Sequence, residues 1–116
     1  MTICFYMPGV RHGFEHVALH NLEALTRDLL RFQVEGGPTA DELAGAPLLS
    51  DWAAVPGTGV LRLVGIVTGH PHVGPGPGTT SPVHAIDRAH AWMRSSNRLW
   101  RLGPARHVVH GFGSHA

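Results

Sequence analysis

Between Gly57 and Gly103 the chain is punctuated by turn residues at short intervals, and that punctuation constrains its fold more than any other feature. Gly57, Gly59 and Gly69 bracket the β-branched and aliphatic run V-L-R-L-V-G-I-V at 60–67, which reads as a strand. Gly65 inside it signals a bulge or a close backbone approach. Residues 70–80 are so rich in Gly and Pro that they read as a loop. V-H-A-I (83–86), A-W-M-R (91–94) and R-L-W-R-L (98–102) read as further strands. The turn residues at 87–90 and 95–97 fall at hairpin spacing, which favours a meander over a helical turn at 88–94. In a regular last strand, Arg98, Trp100 and Leu102 share one face and Leu99 and Arg101 the other.

The preceding residues follow a different period. Ala18, Leu22, Leu25, Leu29 and Phe32 recur at steps of four and three, which draws one apolar stripe along a helix over 14–34. Gly36-Gly37-Pro38 ends that helix. Thr39 and Glu42 have the spacing of a capping box for a short helix at 40–44. Leu48, Leu49 and Trp52 follow as apolar anchors. The expected fold is α+β: N-terminal helices packed on a small antiparallel sheet of three or four strands, able to curl into a partial barrel. A single domain is expected over 1–116, helical at about 14–46, β at about 59–103, with a loosely held tail at 104–116.

Composition agrees with one folded domain. The 116 residues are 43% hydrophobic and 15% charged, enough for one modest core. No apolar run approaches the roughly 20 residues that span a bilayer. The start M-T-I-C-F-Y-M-P lacks the basic n-region of a signal peptide. A cytoplasmic protein without a membrane partner is therefore expected. Cys4 is the sole cysteine and reads as a small buried hydrophobe.

The net charge of +1 conceals an asymmetry. Residues 1–58 carry three arginines against seven acids, whereas 59–116 carry six arginines against Asp87 alone. There is no lysine. The guanidinium suits bidentate recognition of phosphate or carboxylate, so the basic half is expected to meet an acidic partner.

The motifs P-T-A-D-E-L-A-G-A-P-L-L-S-D-W (38–52), G-I-V-T-G-H-P (65–71), T-S-P-V-H-A-I-D (80–87) and R-S-S-N-R-L-W-R-L-G (94–103) occur in that order. In these residues the chain resembles a family of short bacterial proteins of unknown function, over about 15–103. The resemblance implies a helix-plus-β layout and a bacterial origin; it implies no activity and no catalytic residue.

Ten histidines are the other chemical feature. His16 and His20 share a helix face, and His70-Pro71-His72 sets two imidazoles on one side of an extended chain, with His84, His107 and His110 as further candidates. No CxxC, HExxH or cluster of acids accompanies them. Gly74-Pro75-Gly76-Pro77-Gly78 lacks the Gly-Lys-Ser/Thr of a phosphate-binding loop, and no G-x-S-x-G elbow occurs. The expectation is a non-enzymatic binding or regulatory protein without a cofactor. It would use an Arg/Trp-bearing β surface, with Arg62, Arg94, Arg98, Trp100 and Arg101, and Trp92 and Arg88 nearby, to engage nucleic acid or an acidic protein. The alternatives are a metal-binding protein or metallohydrolase built on His70, His72 and His84, and a mobile-element-encoded inhibitor of a nucleic-acid-handling complex.

Overall fold

A computed structural model of the protein describes residues 15–106, with side chains from residue 19 onward. Helix α1 (Glu15–Glu35) stops where Gly36 takes a φ of 88° and its N–H closes onto the Phe32 carbonyl. That left-handed conformation penalises any Cβ, which Gly lacks. Helix α2 (Ala40–Gly45) starts at the capping box: the Glu42 N–H donates to Thr39 Oγ1 and the Thr39 N–H donates to Glu42 Oε1. The guanidinium of Arg31 also donates to the Glu42 carboxylate, so one side chain caps α2 and ties it to α1.

Six strands follow, not three or four: β1 (Leu48–Gly57), β2 (Val60–Thr68), β3 (Gly76–Thr79), β4 (Val83–Ile86), β5 (Trp92–Ser95) and β6 (Leu99–Leu102). They form one sheet in the order β3-β2-β1-β6-β5-β4. It is mixed rather than antiparallel, because β1 and β6 run parallel where Leu48 and Leu49 pair with Arg101 and Leu102. The β4–β5–β6 meander stands as the turn residues indicate.

The two additional strands escape notice for different reasons. In β1 a bulge breaks the alternation: Ser50 pairs with Ile66 and Ala53 with Val64, leaving Asp51 and Trp52 opposite Gly65. Asp51 takes the left-handed φ of 50°, which Asp tolerates better than most residues. A Cβ on Gly65 would lie 2.7 Å from the Ser50 carbonyl oxygen, so only glycine fits beneath the bulge. The β part thus begins at Leu48 rather than near 59. β3 lies inside the Gly/Pro run that reads as loop. It is an edge strand paired only to β2, and an edge tolerates Pro77 because one side needs no donors.

The sheet is open, since no ladder joins its edge strands β3 and β4. It is nevertheless curled. Five strand spacings would separate the edges of a flat sheet by about 24 Å. Residues 80–82 alone join β3 to β4, and the four steps from Thr79 to Val83 reach at most about 14 Å. This connector is stitched across the gap. Thr80 N–H donates to the Leu63 carbonyl, Leu63 N–H to Thr80 Oγ1, and Ser96 N–H to the Pro82 carbonyl.

Leu49, Trp52, Leu63, Val67, Met93, Trp100 and Leu102 form the main core, on the inner side of the curl. Trp92 and Arg94 of β5 face the other way, toward α1, where Phe32 sets its ring edge-on to Trp92 with centroids 5.3 Å apart. Helix α1 therefore meets the outer face of the sheet at β5. Its apolar stripe is only partly used: Leu25 and Phe32 are buried and Leu29 is half-buried, but Leu22 is 54% exposed. The helix is rolled so that Asp28 reaches Arg94 and Arg31 reaches α2, which turns one flank of the stripe outward. Pro104 to Arg106 are held: Trp52 bridges Ala105, and Arg106 N–H donates to the Trp52 carbonyl. The rest of the expected loose tail, 107–116, lies outside the described residues. No helix among the described residues is long and apolar enough to cross a membrane.

Candidate functional site

The arginines singled out in the sequence do not form one surface. Arg94 is 3% exposed; its Nε donates to Asp28 Oδ2 at 2.9 Å and its Nη1 to the Ser95 carbonyl. A buried guanidinium persists only when its charge and donors are matched, so Arg94 is a structural tie between β5 and α1. Arg101 lies on the outer face of β6 and donates from Nε to the Ala46 carbonyl at 3.0 Å. Arg62 donates to the Thr80 carbonyl at 3.5 Å. Trp100 is 6% exposed within the core and offers no open ring for stacking. Pairwise alternation puts Arg94 and Arg101 on the helix-facing side and Trp100 on the inner side, so the residues expected on one β face are divided between two.

Arg98 differs from the rest. It sits in the tight turn between β5 and β6, where Ser95 Oγ accepts from the Arg98 N–H and donates to the Arg98 carbonyl. Its backbone is fixed, yet among the described residues no carboxylate or carbonyl accepts from its guanidinium. The side chain lines a cavity of about 220 Å³ on the inner side of the curl. Val67, Val73 and Trp100 supply apolar wall, and His70, Asn97 and Arg98 supply polar groups. Among the described residues, no acidic one lines it. Burial, and then the like charge of Arg94, pull the Arg98 pKa down.

The connector builds the polar wall. Ser81 Oγ accepts from the Asn97 N–H, and Thr80 Oγ1 donates to the Ser81 carbonyl. Opposite them, the His70 ring lies 5.6 Å from Trp100. His70 Nδ1 accepts from two backbone donors, His72 N–H at 3.0 Å and Val73 N–H at 3.1 Å. An imidazole that accepts at Nδ1 carries its proton on Nε2. Burial first, then the Arg98 and His72 charges, hold the His70 pKa below the usual imidazole range.

The same hydrogen bonds bear on the metal reading. The His70 and His72 rings are 6.1 Å apart, and Nδ1 of His70 is already occupied. His84 is engaged elsewhere, with Ser96 Oγ at 3.0 Å. Among the described residues no group of three metal-ligating side chains comes together. His20 is exposed, while the side chain of His16 and all of His107 and His110 lie outside the described residues. Of the candidate partner-binding residues, the fold brings Arg98 and Trp100 to one cavity and disperses Arg62, Arg94 and Arg101. Sequence reading missed Val67, Val73 and Asn97 as its companions. Only Asn97, beside Ser95-Ser96, carried any local signal, as a turn residue.

No curated protein and no solved structure matches the chain. Residues 23–111 match a family profile, a span that covers most of the sequence and every residue of the cavity. The chain therefore belongs to the family of unknown function DUF6634.

Proposed function

We propose that this is a non-enzymatic binding protein that holds an acidic protein partner through Arg98. The observation that carries the reading is the Arg98 guanidinium, which no carboxylate among the described residues meets, in a cavity that none of them lines. Burying part of a cation without an anion costs free energy, and a partner's carboxylate would recover it in a charge-assisted, bidentate contact. The fixed turn at 95–98 favours that role, because little conformational entropy remains to be lost on binding.

An acidic protein is preferred over nucleic acid. Nucleic-acid affinity grows with the number of phosphates neutralised, and Arg94 and Arg101 are already engaged within the fold. Base stacking needs an open ring, and Trp100 is covered. The test is titration of the protein with a Glu/Asp-rich peptide and with short single- and double-stranded DNA and RNA. Peptide binding that weakens at least about tenfold in Arg98→Gln supports the reading. Nucleic-acid binding that survives Arg98→Gln, or peptide binding indifferent to it, overturns it.

A further inference from the structure

We infer that the Arg98 cavity is a ligand site in its own right, shaped for a carboxylate on a compact apolar body, such as a small organic acid or the apolar last residue of a polypeptide. The inference rests on the reading of Arg98 as an anion anchor and adds the chemistry of what the anchor holds.

The charge of Arg98, with no acid among the described residues that line the cavity, sets the ligand's polarity. Four side-chain acceptors around the cavity are engaged within the fold. His70 Nδ1 takes two N–H groups, Ser81 Oγ takes the Asn97 N–H, Thr80 Oγ1 takes the Leu63 N–H, and Ser95 Oγ takes the Arg98 N–H. The Arg98 guanidinium and the His70 Nε2–H remain as donors at the cavity, beside the Thr79 hydroxyl and the Asn97 amide, which can both donate and accept. A ligand carrying acceptors would meet the Arg98 and His70 donors in charge-assisted contact. A planar carboxylate presents two oxygens with the geometry of a guanidinium fork.

The walls decide the rest of the ligand. Val67, Val73 and the small exposed part of Trp100 contribute apolar surface to the cavity. Inorganic phosphate would leave that lining wetted and bury none of it. An apolar group of matching size gains from the transfer out of water. At about 220 Å³ the cavity is smaller than the roughly 300–1,000 Å³ of sites for drug-sized ligands, so the body is small. A cationic or donor-only ligand would meet Arg98 and His70 as repulsion or as unpaired donors.

Hexanoate, benzoate, benzamide and inorganic phosphate are titrated separately into the full chain by calorimetry and by amide NMR. A peptide ending in free Leu and its C-terminally amidated twin form the second arm. Hexanoate or benzoate should bind, and shift the resonances of His70, Asn97 and Arg98. Arg98→Gln should weaken that binding at least about tenfold. Val73→Asp places a like charge at the exposed rim, where folding tolerates it, and should abolish binding. If the free acids bind and the peptide does not, the ligand is a free organic acid. If the Leu-terminated peptide binds and its amide does not, it is a chain terminus. Benzamide or phosphate binding as well as benzoate overturns the inference, as does no binding of any carboxylate up to about 10 mM. Arg98-dependent binding of the acidic peptide without these carboxylates sinks the cavity inference alone. Carboxylate binding without the acidic peptide sinks the partner reading alone.

Discussion

Arg94 looks out of the sheet toward Asp28 of α1, whereas Arg98, four residues along the chain, lines the cavity inside the curl. Around Arg94, charge is matched. Asp28 bonds its Nε and also lies 3.4 Å from Arg31, which in turn donates to Glu42. The network fastens α1 and α2 and holds α1 to the outside of β5. Around Arg98, no acid among the described residues pairs with the guanidinium, and burial and then the like charge of Arg94 pull its pKa down. The same side chain thus serves as a tie in one region and as a waiting donor in the other. What separates them is the partner that folding brings within reach, not the residue type. The contrast also says which arginine a stability screen will find and which only a binding screen will find.

The largest effect is expected on the matched side. Arg94→Gln leaves Asp28 without its strongest partner beside the sheet and should cost about 3–5 kcal/mol. Asp28 keeps some contact with solvent, which argues for the lower end of that range. Urea unfolding measures it. A loss below about 1 kcal/mol would mean that the pair does not hold the helix, and the comparison would collapse.

Next comes the rolled helix. Leu25→Ala empties a buried site and should cost about 2–3 kcal/mol, whereas Leu22→Ala on the exposed flank should stay within about 0.5 kcal/mol. Equal losses at the two positions would show that α1 sits with its whole stripe inward, without the roll that delivers Asp28 to Arg94.

A smaller effect appears with pH. The His70 pKa is depressed in the fold, so the unfolded chain takes up the proton first as pH falls below about 6.5. Stability contributed by neutral His70 is full above that pH and is lost as pH falls toward the folded-state value. Arg98→Gln removes one cause of the depression, while burial, the larger cause, remains. The His70 titration followed by NMR should therefore move up toward the usual range without reaching it. No movement would place the two charges too far apart to share one ligand.

The smallest expected effect is on stability at Arg98 itself. Arg98→Gln should change unfolding free energy by no more than about 0.5 kcal/mol near pH 7, because no bond within the described fold depends on the guanidinium. A loss comparable to that of Arg94→Gln would reveal a structural partner and remove the reason for reading the cavity as a site.

Much of the local structure was legible in the residues themselves. The end of α1 at Gly36, the capping box of Thr39 and Glu42, the strand at 60–67 and the 83–102 meander each follow from neighbours within a few positions, where dihedral preference and hydrogen-bond reach act directly. Gly65 announced a close approach, and Ser50 makes it. The sequence also placed arginine in the second half and Arg98 with Trp100 on one face. Everything that required distant segments to meet was settled by the tertiary structure. β1 was hidden because its bulge at Asp51 broke the alternation, and β3 because an edge strand can carry Pro77. Asp28 chose Arg94 across 66 positions of sequence, and that choice both rolled α1 and withdrew Arg94 from the surface. The cavity exists because a three-residue connector pulls the edges of the sheet together, bringing Ser81 to Asn97. Periodicity and capping are local energies and can be read along a chain. Which charge is neutralised and which is left waiting depends on closure of the sheet, and that is decided only when the whole chain packs.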